Sequence, residues 1–147
     1  MTNQEIDTLT RRFYECICFN HEHYPKFDRL QELFYGDGKL MNGNYDKPIE
    51  FTVQSYSQAL MHQIEEGNAV FFSQQEISDI TEVFGKTAQR VSVYEYSFMP
   101  ENKEPWKRGV NYMQFIFIDG KWKIVSMLWN DEKGNLKIPE SYMADVL

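Results

Sequence analysis

Three side chains in this sequence have the chemistry to move a proton or hold an oxyanion. Tyr14 lies next to the apolar stripe of the first helical stretch. A hydroxyl there either donates into an interior or keeps its tip in water, as amphipathic side chains do. Asp37 lies in Gly36-Asp37-Gly38. A carboxylate near a pocket mouth is a base, whereas an Asp between glycines commonly bonds its own backbone in a turn. Glu95 is flanked by Tyr94 and Tyr96. Alternation groups Tyr94 with Ser92, Tyr96 and Phe98, and puts Glu95 with Val91, Val93 and Ser97. If the tyrosine row lines an interior, Glu95 faces outward and pairs with a Lys or Arg. If the faces are reversed, Glu95 is a buried carboxylate with a raised pKa.

Asn111, Gln114 and Ser126 are polar residues inside otherwise apolar stretches. Buried polar groups are hydrogen-bonded, so these order a network or touch a ligand. Asn111 and Gln114 differ in parity, and a regular strand aims only one of them inward. Ser126 falls in the row Trp122, Ile124, Ser126, Leu128, opposite Met127 and Trp129.

Metal chemistry has little to stand on. His21-Glu22-His23 lies beside Pro25, and the remaining histidine, His62, is far along the chain. Zinc needs three or four convergent ligands. Cys16 and Cys18, two apart in a helix, point to nearly opposite sides and do not bridge. No metal or cofactor is expected. Phosphate-loop, nucleophile-elbow and His-Glu-x-x-His motifs are absent.

The net charge is −7. The closest approach to a basic cluster, Lys103 to Arg108, is broken by Glu104, Pro105 and Trp106. Nucleic acid and anionic membranes are therefore not expected partners. No signal peptide or apolar span is evident, so the expected address is the cytoplasm.

The elements that must position these residues follow from periodicity. Ile6, Leu9, Phe13 and Ile17 mark an amphipathic helix from Thr2 to about Asn20, and the Thr2–Glu5 spacing is that of a capping box. Phe27, Leu30, Leu33 and Phe34 mark a second helix over Lys26–Tyr35, ended by Gly36-Asp37-Gly38. A short strand is expected at Leu40-Met41, then a loop. Val53, Tyr56, Leu60 and Ile64 mark a third helix over Thr52–Glu66. Period 2 then takes over. Ile77, Asp79, Thr81 and Val83 alternate with Glu76, Ser78, Ile80 and Glu82, Gly85-Lys86 turns the chain, and Thr87–Phe98 is a second strand. Val110–Ile118 and Trp122–Asn130 flank Asp119-Gly120, a strong hairpin signal. From Asp131 on, a polar tail is expected. Helices first and antiparallel strands after indicate one α+β domain over residues 1–147.

Residues Phe84-Gly85-Lys86-Thr87-Ala88, Tyr94-Glu95, Arg108-Gly109-Val110-Asn111, Gln114 and the hairpin from Asp119 to Trp129 resemble bacterial nuclear transport factor 2-like proteins. Their polyketide cyclase-like and ketosteroid isomerase-like branches are included in that likeness. The resemblance implies a cone-shaped curved antiparallel sheet wrapped on three N-terminal helices, the cystatin-like fold, with a pocket at the open end. It also implies homodimers formed through the outer sheet face. In the isomerase branch a first-helix Tyr and a protonated carboxylic acid hold an oxyanion, while a second carboxylate moves a proton. Here the first-helix position falls at Phe13-Tyr14, with Phe13 the better match. The base position falls in Met41-Asn42-Gly43-Asn44, which has no carboxylate.

The reading is a small apolar or amphipathic ligand held in a pocket, with metal-free acid/base chemistry of isomerase, cyclase or dehydratase type as its enzymatic form. Tyr14 would donate a hydrogen bond, and Asp37 or Glu95 would be the base. Tyr56, Ser92, Tyr94, Asn111, Gln114, Ser126 and Trp129 are the ligand-binding candidates. The rival is a non-catalytic dimeric scaffolding module whose cavity its own side chains fill.

Overall fold

In the computed structural model, residues 2–100 and 106–143 are described. Helix α1 (Thr2–Ile17) buries Ile6, Leu9, Phe13, Tyr14 and Ile17 and exposes Arg11, Arg12 and Glu15. The expected Thr2 cap rests on a side chain outside the described residues. Helix α2 is only Phe27–Glu32, because Phe34–Asn42 is strand β1. This corrects the sequence reading of a helix to Tyr35. Gly36-Asp37-Gly38 does not end a helix. It loops out of β1, between Phe34, which pairs with Ile124, and Lys39, which pairs with Ser126. Gly36 and Gly38 have φ of +57° and +73°, which explains why glycine flanks the Asp. Strand β2 (Ile49–Phe51) precedes α3 (Val53–Glu65), capped by Thr52, whose hydroxyl accepts from the Ser55 N–H.

The long strands β3 (Ser73–Phe84), β4 (Thr87–Ser97), β5 (Lys107–Ile118) and β6 (Lys121–Asp131) follow. Asp119 and Gly120 both have positive φ, as a two-residue primed turn requires. The sheet order is β2-β1-β6-β5-β4-β3. Every pair is antiparallel except β1–β6, an exception to the all-antiparallel expectation. The helices lie on one face of this open, curved sheet, so the architecture is α+β. No helix among the described residues is long and apolar enough to cross a membrane.

Two bulges reassign the faces read from strict alternation. Glu76 pairs with Tyr94 and Ser78 with Val93, leaving Ile77 extra, so Glu76 joins Asp79 and Thr81 on the helix side. Gln114 pairs with Ser126 and Phe115 with Ile124, leaving Val125 extra. Beyond it Met127, Trp129 and Asp131 face the helices, and Ser126 faces out.

The inner face closes on α1 through Arg90, which is 3% exposed. Its guanidinium bonds both oxygens of Glu76, Asp7 of α1 at 2.7 Å and Thr81 Oγ1 at 2.9 Å. Burial opposes the charge, but Glu76, Asp7 and Asp79 outweigh it and push the guanidinium pKa further up. Removing one partner of a buried ion cluster costs about 3–5 kcal/mol. Arg90→Met is expected to lower the urea-unfolding free energy by about that much, and a loss under about 1 kcal/mol would mean water already answers these carboxylates.

After β6 the chain crosses the outer face to a 3-10 turn at Glu140–Met143. Ser78 Oγ donates to the Tyr142 carbonyl at 2.7 Å. Glu132 holds this segment by accepting from the Ile138 N–H at 2.9 Å and from Arg108 at 3.3 Å. The Ile138 N–H, with Arg108, lowers the Glu132 pKa against the effect of burial. Stability from a depressed carboxyl is present above its unfolded value and lost as pH falls through the folded one. Glu132→Gln should therefore flatten the acid side of a melting-temperature profile below the ordinary value of 4.5 and leave neutral pH dependence unchanged.

Candidate functional site

Side chains from seven elements and the loops between them line a cavity of about 280 Å³ at the open end of the sheet. Phe13 and Ile17 come from α1, Tyr56 from α3, Phe72 from just before β3 and Phe98 from just after β4. Tyr56 meets Phe51 and Trp129 edge-on, with ring centroids 5.7 and 6.1 Å apart. Phe72 packs on Phe98 at 5.0 Å and on Tyr96 at 6.1 Å. These contacts fix the aromatic walls without closing the space between them.

The cavity's polar end is built around Asp131. Tyr94 Oη donates to Oδ1 at 2.5 Å, and Tyr96 Oη donates to Oδ2 at 2.9 Å. Asn44 Nδ2 donates to Oδ2 at 3.1 Å and its Oδ1 accepts the Asp131 N–H at 2.6 Å. The Tyr94 hydroxyl can reach β6 only because Gly109 lies between them. Gly109 pairs with both Tyr94 and Asp131, and a Cβ on it would land on the tyrosine's Oη and Cζ. Burial, then the charge of Asp131, raises the pKa of Tyr94 and Tyr96, and burial raises that of Tyr56. All three are neutral donors at physiological pH.

Asn111 lines the same cavity and is 3% exposed. Its amide nitrogen donates to Met127 Sδ at 3.6 Å, and its carbonyl oxygen has no partner among the described residues. Leaving a buried acceptor unpaired costs about 1–3 kcal/mol. Tyr14 stands behind Asn111. Ser92 Oγ donates to Glu76 Oε2 at 2.5 Å, so its oxygen is left to accept from Tyr14 Oη at 2.7 Å. Burial pushes the Tyr14 pKa far up, against the opposing effect of the neighbouring Ser92 and Asn111 side chains.

Of the residues selected from sequence, Tyr56, Tyr94, Asn111 and Trp129 line this cavity. Tyr14 and Ser92 are buried behind it in the Arg90–Glu76 cluster. Asp37 is exposed in the β1 loop-out. Glu95 accepts from Gln75 Nε2 at 2.6 Å, beside its strand partner Arg108 on the outer face. Gln114 and Ser126 bond each other on that face at 3.0 Å. The sequence reading missed Asp131, which it assigned to the tail. Its signal was one further step of the row Met127, Trp129. Among the described residues no group of three His, Cys, Asp or Glu is placed to hold a metal ion.

No protein-family model and no curated protein sequence matches the chain. Solved structures do. A Nostoc punctiforme protein of unknown function with a cystatin-like fold superposes with a TM-score of 0.69 at 14% identity, over 90% of this chain and 92% of its own. The fold is nuclear transport factor 2-like. A Novosphingobium aromaticivorans nuclear transport factor 2-like protein with a cystatin-like fold gives a TM-score of 0.69 at 13% identity, covering 99% of this chain and 88% of its own. A putative calcium/calmodulin-dependent kinase II association domain from Exiguobacterium sibiricum gives 0.61 at 14% identity, covering 91% and 95%. In this nuclear transport factor 2-like scaffold the cavity occupies the space between the helices and the inner sheet face.

Gly109→Ala tests the polar end. The added methyl should displace the Tyr94 ring from Asp131 and cost about 1–3 kcal/mol, as overpacking does. Thermal unfolding and the shift of the Tyr94 ring resonances would report it. An unmoved ring would mean that the strand, not the ring, yields.

Proposed function

We propose that the chain binds a small, largely apolar molecule in the cavity between its helices and sheet. The observation that carries this is a single space with fixed aromatic walls and convergent polar atoms at one end, the usual anatomy of a ligand site. A scaffold that fills its own cavity would place side-chain atoms there and pair the Asn111 carbonyl. Acid/base chemistry has weaker support. Tyr14 is occupied with Ser92, Asp37 and Glu95 lie outside the cavity, and Asp131 is already engaged by three donors.

The neutral probe 2-naphthylmethanol tests the reading through quenching of Trp129 fluorescence. Saturable one-to-one binding to the wild type is expected, with at least a tenfold loss in Gln74→Trp, which fills the cavity from β3. Among the described residues the Gln74 side chain makes no hydrogen bond that the change would break, only its backbone being bonded, to Cys18. Equal binding by both proteins would place the probe elsewhere, and no binding by either would leave the cavity without a ligand role.

We also propose that two copies pair through the outer sheet face. Tyr112 and Leu128 are 48% and 46% exposed there, beside Leu136 of the C-terminal segment. They border an apolar groove of about 450 Å³. Exposed apolar area of this kind marks interaction sites. The Exiguobacterium neighbour that shares this fold is described as a putative kinase association domain, which supports the reading. Light scattering should give twice the chain mass for the wild type and the single mass for Leu128→Glu. A monomeric wild type at high micromolar concentration would overturn this.

A further inference from the structure

We propose that the molecule this cavity selects is an organic cation, a primary or secondary ammonium carried on an apolar body. The proposal rests on the cavity being a ligand site and adds the class of ligand.

Charge is the first argument. Among the described residues that line the cavity, Asp131 is the one carboxylate, and none is Lys, Arg or His. Among the described residues no basic nitrogen lies within 4 Å of its carboxylate. The carboxylates near Arg90, by contrast, share a buried guanidinium. A carboxylate offers about four acceptor positions. Tyr94, Tyr96 and Asn44 take three, which leaves one donor position and the whole negative charge. The three donors hold the group in place but are neutral, so they do not cancel it.

The walls are the second argument. Tyr56, Trp129, Tyr96 and Phe72 present ring faces and edges around the same space. Aromatic faces attract a cation through the ring quadrupole, most strongly where water is excluded. They attract an anion in no comparable way. The chain's net charge of −7 adds a long-range pull of the same sign.

The third argument selects among cations. Asn111 lines the same cavity, is almost wholly buried, and its carbonyl oxygen has no partner among the described residues. A ligand N–H or O–H that reaches it would satisfy it. An ammonium with N–H bonds can supply that donor, whereas a fully methylated one cannot. An alcohol could serve Asn111 but leaves the Asp131 charge unanswered, and a carboxylic acid opposes it.

Three molecules of nearly one shape separate these cases: 2-naphthylmethylamine, 2-naphthylmethanol and 2-naphthoate, titrated by calorimetry at pH 7. The amine should bind at least tenfold more tightly than the alcohol, and the naphthoate more weakly than either. Asp131→Asn should bring the amine to the level of the alcohol while leaving the alcohol within about threefold. Glu132→Gln, which removes the neighbouring charge on the outer side, should leave the amine preference intact. If the alcohol binds and loses affinity in Gln74→Trp but the amine binds no better, the ligand site stands and the cation assignment falls. Should Asp131→Asn weaken all three equally, Asp131 is a positioning residue only and the assignment also falls. If none of the three binds, both readings fall together. N,N,N-trimethyl-2-naphthylmethylammonium binding as tightly as the amine would remove the role given to Asn111.

Discussion

A guanidinium buried to the extent of Arg90 must have its charge answered, and that requirement governs how the helix sits on the sheet. The answering groups come from β3 and from α1, so Asp7 cannot bond Arg90 unless the helix adopts one rotation about its axis. The same carboxylate, Glu76, takes the Ser92 proton, and Ser92 in turn takes that of Tyr14. One ionic contact near the start of α1 is thus relayed two turns along it. Apolar contacts alone would tolerate small rotations; a bidentate pair and its hydroxyl chain do not.

That rotation decides what the cavity contains. With Tyr14 drawn back toward Ser92, Phe13 and Ile17 are the α1 side chains that reach the open space. A second clamp, Tyr94 and Tyr96 on Asp131, tightens the opposite end across three strands. The two clusters lie on the same face of β4, alternating along it as Arg90, Ser92, Tyr94 and Tyr96. One strand therefore carries both the group that fixes the helix and the groups that orient the carboxylate.

Much of this was visible in the sequence where a local rule applied. Helical spacing located α1 and α3, Asp119-Gly120 located the last hairpin, and alternation separated the tyrosine row of β4 from Glu95 without deciding which of the two faced in. The failures share one cause. Period 2 holds only where pairing is regular, and this sheet departs from it at Ile77, at Val125 and over residues 35–38. Each departure is set by tertiary packing, which a single strand's pattern does not record. Gly36-Asp37-Gly38 carried the correct local signal, positive φ, in a setting that chain-local reasoning took for a helix end. Asp131 was missed because polar residues surround it, and its role depends on Tyr94 reaching over Gly109 from two strands away.

The extra residue at Val125 bears on how such a scaffold changes over generations. Facing direction in a strand is carried by parity, and a bulge takes up one extra residue so that the ladder and the faces beyond it are kept. Without Val125, Ile124 and Ser126 would be consecutive opposite Phe115 and Gln114, and Trp129 and Asp131 would still face the helices. The bulge therefore lets a lineage gain or lose one codon here without exchanging the acidic, aromatic-walled face for the one that carries Leu128 and Asn130. A relative lacking that codon would show the same lining only when its sequence is aligned with a one-residue gap at this point.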